Sequence, residues 1–194
     1  MNQSQAHLKA LDELLTNPAF ADHIVLEKRL PPAAPHVVPI PEGVDPRLTQ
    51  ALKARGIQEL YIHQAEVWDH VRGGRHTVVV TPTASGKTLC YNLPTLQALL
   101  EDEHARALYL FPTKALSQDQ QAELNELVDG PAVKLPIKVC TYDGDTPESL
   151  RLAARDTGRI IVSNPDMIHA GILPNHPKWI KFFSRLTYVV IDEA

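Results

Sequence analysis

Leucines at 8, 11, 14 and 15 return every three or four residues, the spacing of one face of a short helix over 4–16. PPAAPHVVPIPEGVDP, 31–46, follows with six prolines, whose fixed φ and missing N–H exclude a helix. It reads as an extended linker, so that an N-terminal arm with its Pro-rich linker spans 1–44 and the body 45–194. From Asp45 the pattern becomes regular. Asp45 caps a helix with Pro46 at its first position, and PRLTQALKAR runs on until Gly56 stops it. A second helix, about 62–72, ends at Gly73-Gly74.

Beyond that point short β-rich runs alternate with helical stretches. Strands are predicted near 76–81, 106–111, 137–141, 159–163 and 187–191. Helices are predicted near 86–100, 114–128, 147–156 and 165–172, with another around 177–184. This alternation predicts an α/β fold, a mostly parallel sheet with helices on both faces. Ligands of such sheets gather at the C-terminal strand ends. No internal repeat is visible.

Composition narrows the class. The 194 residues are 44% hydrophobic and 22% charged, a soluble globular composition with enough chain for one real core. No apolar run is long enough for a membrane span, and the N-terminus is not patterned as a secretion signal, so a cytoplasmic protein is expected. Cys90 and Cys140 lack metal-ligand spacing and read as reduced thiols, with a disulfide as the alternative. The net charge of −4 excludes a uniformly basic coat but not a positive groove for nucleic acid.

The chemistry lies in two stretches. TPTASGKT, 81–88, stands between the apolar run HTVVV and a predicted helix. It matches a phosphate-binding loop except that Thr81 replaces the first glycine. Backbone amides of Thr83, Ala84, Ser85 and Gly86, together with the helix N-terminus, would face an anion. Gly86 lets the backbone approach the phosphates, Lys87 reaches the β/γ oxygens, and the Thr88 hydroxyl ligates Mg²⁺. The bland alternative is a small-residue turn that opens a helix.

The second stretch is LTYVVIDEA at the far end, an apolar strand that delivers Asp192 and Glu193 side by side. Adjacent carboxylates behind such a strand are costly unless solvent, a metal or a cation meets them. As a Walker B pair, Asp192 holds Mg²⁺ and Glu193 polarises the attacking water. A strand running into a helix cap is the alternative for these residues alone.

Together these motifs resemble motif I and the DEAD/DEAH-type box of superfamily-two helicases. In that group the first loop glycine is commonly a small residue, which fits Thr81. The resemblance covers about 56–194 and implies a RecA-like, ATP-binding domain. GIQELYIHQAEVW resembles the adenine-recognising Q motif, with Gln64 as reader, although an ordinary polar position on an amphipathic helix stays open. PTKALSQDQ resembles motif Ia and SNPDMIH motif Ib. The hydroxyls of Thr113 and Ser163 and the Lys114 ammonium would grip the phosphates of a single strand without reading bases. YDGDTP, 142–147, either lines the same track or is a turn with Thr146 or Asp145 capping a helix.

At the level of subfamily the stretches are most similar to the bacterial YprA-like helicases, which act on DNA and carry a zinc-binding C-terminal domain. The resemblance therefore implies ATP and Mg²⁺ as cofactors and single-stranded or tailed nucleic acid, DNA favoured, as partner. It also implies a second RecA-like domain, which the family places after the box; the 194 residues alone are expected to turn over little ATP. Two other functions stay open: a nucleic-acid-binding module without turnover, and another P-loop NTPase. Gln64, Thr81 and the lack of an arginine-rich lid after the loop weigh against the latter.

Overall fold

The computed structural model describes residues 3–21, 23–26, 28, 34–82 and 85–193. The chain divides into two compact units, Met1–Pro35 and His36–Ala194. The first holds the expected helix as α1 (Gln3–Thr16) and a single turn, α2 (Pro18–Ala21). The Asn17 side-chain oxygen accepts from the Ala19 N–H at 2.9 Å, so a local cap separates the two.

The second unit begins with β1 (Val37–Pro39), which pairs antiparallel with β2 (Glu59–Tyr61). Between them lies α3 (Pro46–Ala54), capped as expected: the Asp45 carboxylate accepts from the Arg47 N–H. Leu48 and Leu52, one turn apart, are fully buried. α4 (Ile62–Arg72) starts where β2 ends and stops at Gly73.

α5 (Lys87–Glu101) then leads to β3 (Arg106–Leu110), α6 (Lys114–Val128), β4 (Val139–Thr141), α7 (Glu148–Thr157) and β5 (Ile160–Ser163). Past β5 the expected helix over 165–172 is only one turn, α8 (Pro165–Met167), before the chain widens into a π turn over Ile168–Ile172. Next come a 3₁₀ stretch, Leu173–Trp179, and α9 (Ile180–Phe183), where prolines at 174 and 177 interrupt the longer helix the pattern predicted. β6 (Leu186–Ile191) closes the sequence of elements.

Four strands form a parallel sheet in the order β4-β5-β3-β6. Its two faces follow the period of two along each strand. Ala107 and Tyr109 of β3 and Ile160 and Val162 of β5 point into the larger core, against leucines of α3, α5 and α6. Leu108 and Ile161 point the other way, onto Ile172, Trp179 and Phe182. Each fully buried leucine is worth about 2 kcal/mol relative to exposure, so α5 is tied down by Leu93, Leu96 and Leu99.

One expected strand is absent. Residues 75–82 join no ladder, and Val78 and Val80 are 89% and 90% exposed. HTVVV has the propensity of a strand, but propensity fixes no partner, and the described sheet ends at β6. The described residues before the phosphate loop, 75–82, are thus unpaired chain.

The register sets up the functional edge. Leu110 of β3 lies level with Ser163 of β5 and with Ile191 of β6. The three strands therefore end together, and the loops that leave them lie along one border. Cys90 is buried, Cys140 half-buried, and both are free thiols. No helix among the described residues is long and apolar enough to cross a membrane.

Candidate functional site

Gly86 is the N-cap of α5, with φ 80° in the left-handed region that glycine tolerates. A Cβ there would lie 2.7 Å from Gln64 Nε2 and 3.7 Å from the Tyr61 ring. The close approach has a purpose in the packing. Buried Gln64 donates through Nε2 to the Gly86 carbonyl at 2.9 Å, while its Oε1 accepts from the Tyr61 N–H at 2.9 Å. One amide thus ties the start of α4 to the start of α5.

The loop is also closed on itself. Lys87 Nζ donates to the carbonyls of Thr81 at 2.9 Å and Pro82 at 3.0 Å. The hydroxyls of Thr81 and Ser85 lie 2.6 Å apart. Thr81, the departure from the usual glycine, thus braces the loop twice, through its carbonyl and its side chain. Thr83 and Ala84 lie outside the described residues.

The acidic pair comes to the same place from β6. The Asp192 N–H donates to the Leu110 carbonyl at 3.1 Å, carrying the ladder one step beyond the strand. Glu193 then turns with φ 55°, the one non-glycine positive φ among the described residues. A left-handed L-residue costs about 1 kcal/mol. Part of that is offset by the Glu193 N–H, which donates to Asp192 Oδ1 at 3.1 Å.

Asp192 Oδ2 lies 3.4 Å from the hydroxyl of Tyr91, which also donates to Gln120 Oε1 at 2.9 Å. Tyr91 is one helical turn beyond Thr88 on α5. Burial pushes the Tyr91 phenol well above its ordinary range, with Thr88 working against the shift and the Asp192 charge adding to it. The first turns of α5 and the end of β6 are thereby brought together.

Along the same border, Thr113 caps α6, its hydroxyl accepting from the Leu116 N–H at 3.3 Å. Lys114 forms an ion pair with Asp145, on the loop after β4. That loop is a closed turn. Asp143 Oδ1 accepts from the Asp145 N–H at 3.0 Å and from the Thr146 hydroxyl at 2.7 Å. Arg151 Nη2 donates to the carbonyls of Asp143 at 2.9 Å and Gly144 at 2.6 Å. The cap position of α7 is Pro147, so neither Thr146 nor Asp145 caps that helix.

Ser163 is placed differently from Thr113. Its side chain is 1% exposed, and its hydroxyl donates to the Tyr142 carbonyl at 2.6 Å. The proton expected for a phosphate is used to clamp the end of β5 to the residue after β4.

Three contributors went unread in the sequence, Tyr61 and Tyr91 near the loop and Gln120 on α6, and Asp145 was read as a track or cap residue and not as the partner of Lys114. An aromatic directly before IHQ and a tyrosine one turn after GKT are visible as letters. Gln120 and Asp145 carry no local signal, since their partners are 29 and 31 residues away.

The chain is similar to known proteins over most of its length. Residues 61–194 match the family model described as DEAD/DEAH box helicase. The chain is 50% identical over 185 residues to the ATP-dependent helicase YprA of Bacillus subtilis (strain 168), covering 95% of this chain and 24% of the relative. It is 38% identical over 193 residues to the ATP-dependent helicase hrq1 of Schizosaccharomyces pombe, covering 95% of this chain and 18% of that one. The chain thus spans about a quarter or less of the length of these relatives. Among solved structures, the DUF1998 helicase MrfA bound to DNA and AMPPNP matches with TM-score 0.78 and 52% identity, over 84% of this chain and 22% of that one.

Proposed function

The chain belongs to the DEAD/DEAH box helicase family, and we propose that residues 45–194 are the ATP-binding motor domain of a DNA helicase, with 1–44 as an arm. In the whole protein, ATP hydrolysis would be coupled to movement along a single strand. One observation carries this reading: Asp192 reaches the first turns of α5 through Tyr91, beside the loop that Gln64 and Lys87 hold shut. Solved MrfA with DNA and AMPPNP, at 52% identity, supports the choice of nucleotide and polymer.

The donor set suits a magnesium nucleotide. Lys87 has three ammonium protons and gives two to nearby loop carbonyls, bonds it can exchange for β/γ phosphate oxygens. Gly86 keeps the loop backbone free of a Cβ at the close approach. Backbone amides of 83–86 would complete the cradle. Thr88 and Asp192 would hold Mg²⁺, an ion that commonly takes only one or two carboxylates and keeps several waters. When bound, the ion would neutralise charge on the phosphates. Glu193, held by its own turn beside Asp192, would orient a water and accept its proton. Tyr61, 42% exposed and packed over Gly86, adds an aromatic face next to Gln64 for the adenine.

The nucleic-acid track is assigned to the border residues Thr113 and Lys114, with Ser163 behind them fixing the strand ends. Lys114 is held by Asp145 in an exposed ion pair worth well under about 1 kcal/mol, so a phosphate can displace the carboxylate. The test is direct binding of ATP and of single-stranded DNA to the purified chain, beside Lys87→Ala and Lys114→Ala. Each variant is expected to lose one ligand and keep the other. Retention of Mg·ATP affinity in Lys87→Ala would remove the assignment.

A further inference from the structure

Tyr91 has no part in phosphate binding, yet its hydroxyl sits where three functional elements meet. It lies on α5 one turn past Thr88, donates to Gln120 on α6, and faces Asp192 Oδ2 after β6. Its ring packs edge-on against Tyr109 of β3, centroids 5.6 Å apart and planes at 90°. With the ring fixed, only the phenolic hydrogen is free to turn, between an acceptor at 2.9 Å and one at 3.4 Å.

We propose that Tyr91 is the positioning residue for Asp192, and that through Gln120 it ties the orientation of that carboxylate to α6. This rests on the reading that Asp192 helps to hold the divalent cation. The two oxygens of Asp192 are steered separately. Oδ1 is occupied by the Glu193 N–H of its own turn, which leaves Oδ2 as the oxygen facing Tyr91 and the first turns of α5. A carboxylate at an exposed strand end otherwise has two free torsions, and a cation must order both. The half-buried phenol, its ring fixed against Tyr109, limits that freedom in advance.

Gln120 adds the second half of the inference. Its carbonyl oxygen is the better-placed acceptor, so the proton rests there until Asp192 moves closer. α6 carries Thr113 at its cap and Lys114 as its first residue, on the same helix as Gln120. A change at Asp192 is therefore felt by the helix that opens at the proposed nucleic-acid track.

The experiment measures binding of a fluorescent ATP analogue to the 194-residue chain, titrated with Mg²⁺ and repeated in EDTA. Tyr91→Phe keeps the ring and removes only the hydroxyl. It should raise the half-saturating Mg²⁺ concentration about fivefold, the scale of one lost hydrogen bond, and leave affinity in EDTA within about twofold. Gln120→Met frees the phenolic hydrogen for Asp192 and should shift the Mg²⁺ midpoint the opposite way, while the double variant should match Tyr91→Phe alone, because the phenol is the shared link. An unchanged Mg²⁺ midpoint in Tyr91→Phe overturns the proposal, as does an equal loss with and without Mg²⁺, which would mark a packing role. Additive shifts in the double variant would break the link to α6. If the unmodified chain binds nucleotide with no Mg²⁺ dependence, the assignment of Asp192 to the cation falls first and this inference falls with it.

Discussion

Gln64 and Gly86 lie 22 residues apart and meet through one hydrogen bond, the side-chain amide donating to the loop carbonyl at 2.9 Å. After this bond and the one accepted from the Tyr61 N–H, the amide retains one N–H and one lone pair. Gln64 is therefore equipped both to anchor the loop and to meet an adenine edge. Gln64→Ala is expected to weaken ATP binding about tenfold and GTP binding less, measured by competition against one fluorescent nucleotide. An equal fall for both would make Gln64 an anchor of the loop and not a base reader.

Gly86→Ala combines a left-handed φ with a Cβ placed 2.7 Å from Gln64 Nε2. The backbone term costs about 1 kcal/mol, and the clash must break the Gln64 bond or shift the loop. Nucleotide affinity should fall at least tenfold, and the combined cost of about 1 to 2 kcal/mol should also lower the urea midpoint. Unaltered affinity would show that the loop tolerates the displacement.

Lys114→Ala should lower single-stranded DNA affinity about equally across sequences and reduce the slope of log K against log salt by roughly 0.7, one phosphate contact on a single strand. Asp145→Asn should act in the opposite direction, because it frees the ammonium that Asp145 now holds. Fluorescence anisotropy over a salt series reads both. A loss confined to particular sequences would point to base contacts instead.

Arg159 donates to the carbonyls of Leu99 at 2.6 Å, Asp102 at 2.6 Å and Ala105 at 3.1 Å, holding the C-terminal end of α5. Burial and the nearby Arg106 guanidinium both work against its charge, and the Asp102 and Glu103 carboxylates favour it. Arg159→Met leaves those carbonyls without their donor and should cost about 2 kcal/mol in urea denaturation. A change within the error of the measurement would mean that water replaces the guanidinium.

Burial pushes the Cys90 thiol up to about 11 and raises that of Cys140 as well. The folded state keeps a proton that the unfolded thiol begins to release near its ordinary value. The sign is that stability is fully present below that value and is lost as pH rises towards the folded one. Stability should decline between about pH 9 and 11, and Cys90→Ala should flatten part of that decline. At pH 8 a thiol reagent should modify the native protein slowly and the urea-unfolded protein quickly.

Where the information was local, the amino-acid sequence alone settled the matter. Asp45-Pro46 determined the start of α3, Gly73 the end of α4, and Gly86-Lys87 the opening of α5, because caps and left-handed turns involve residues a few positions apart. The strand–helix alternation likewise determined a parallel α/β sheet, and the phosphate loop and acidic pair could be read as motifs. Partnership was decided only in three dimensions. HTVVV has strand chemistry and yet pairs with nothing described, since a strand exists through its neighbour. Ser163 has the hydroxyl of a phosphate ligand, but the register of β5 against β4 buries it under the Tyr142 carbonyl. Tyr91 and Asp192 stand 101 residues apart, and no period or composition links them. The parallel register that brings β3 and β6 to one border puts the carboxylate beside the phenol, and long-range packing of this kind leaves no trace in local pattern.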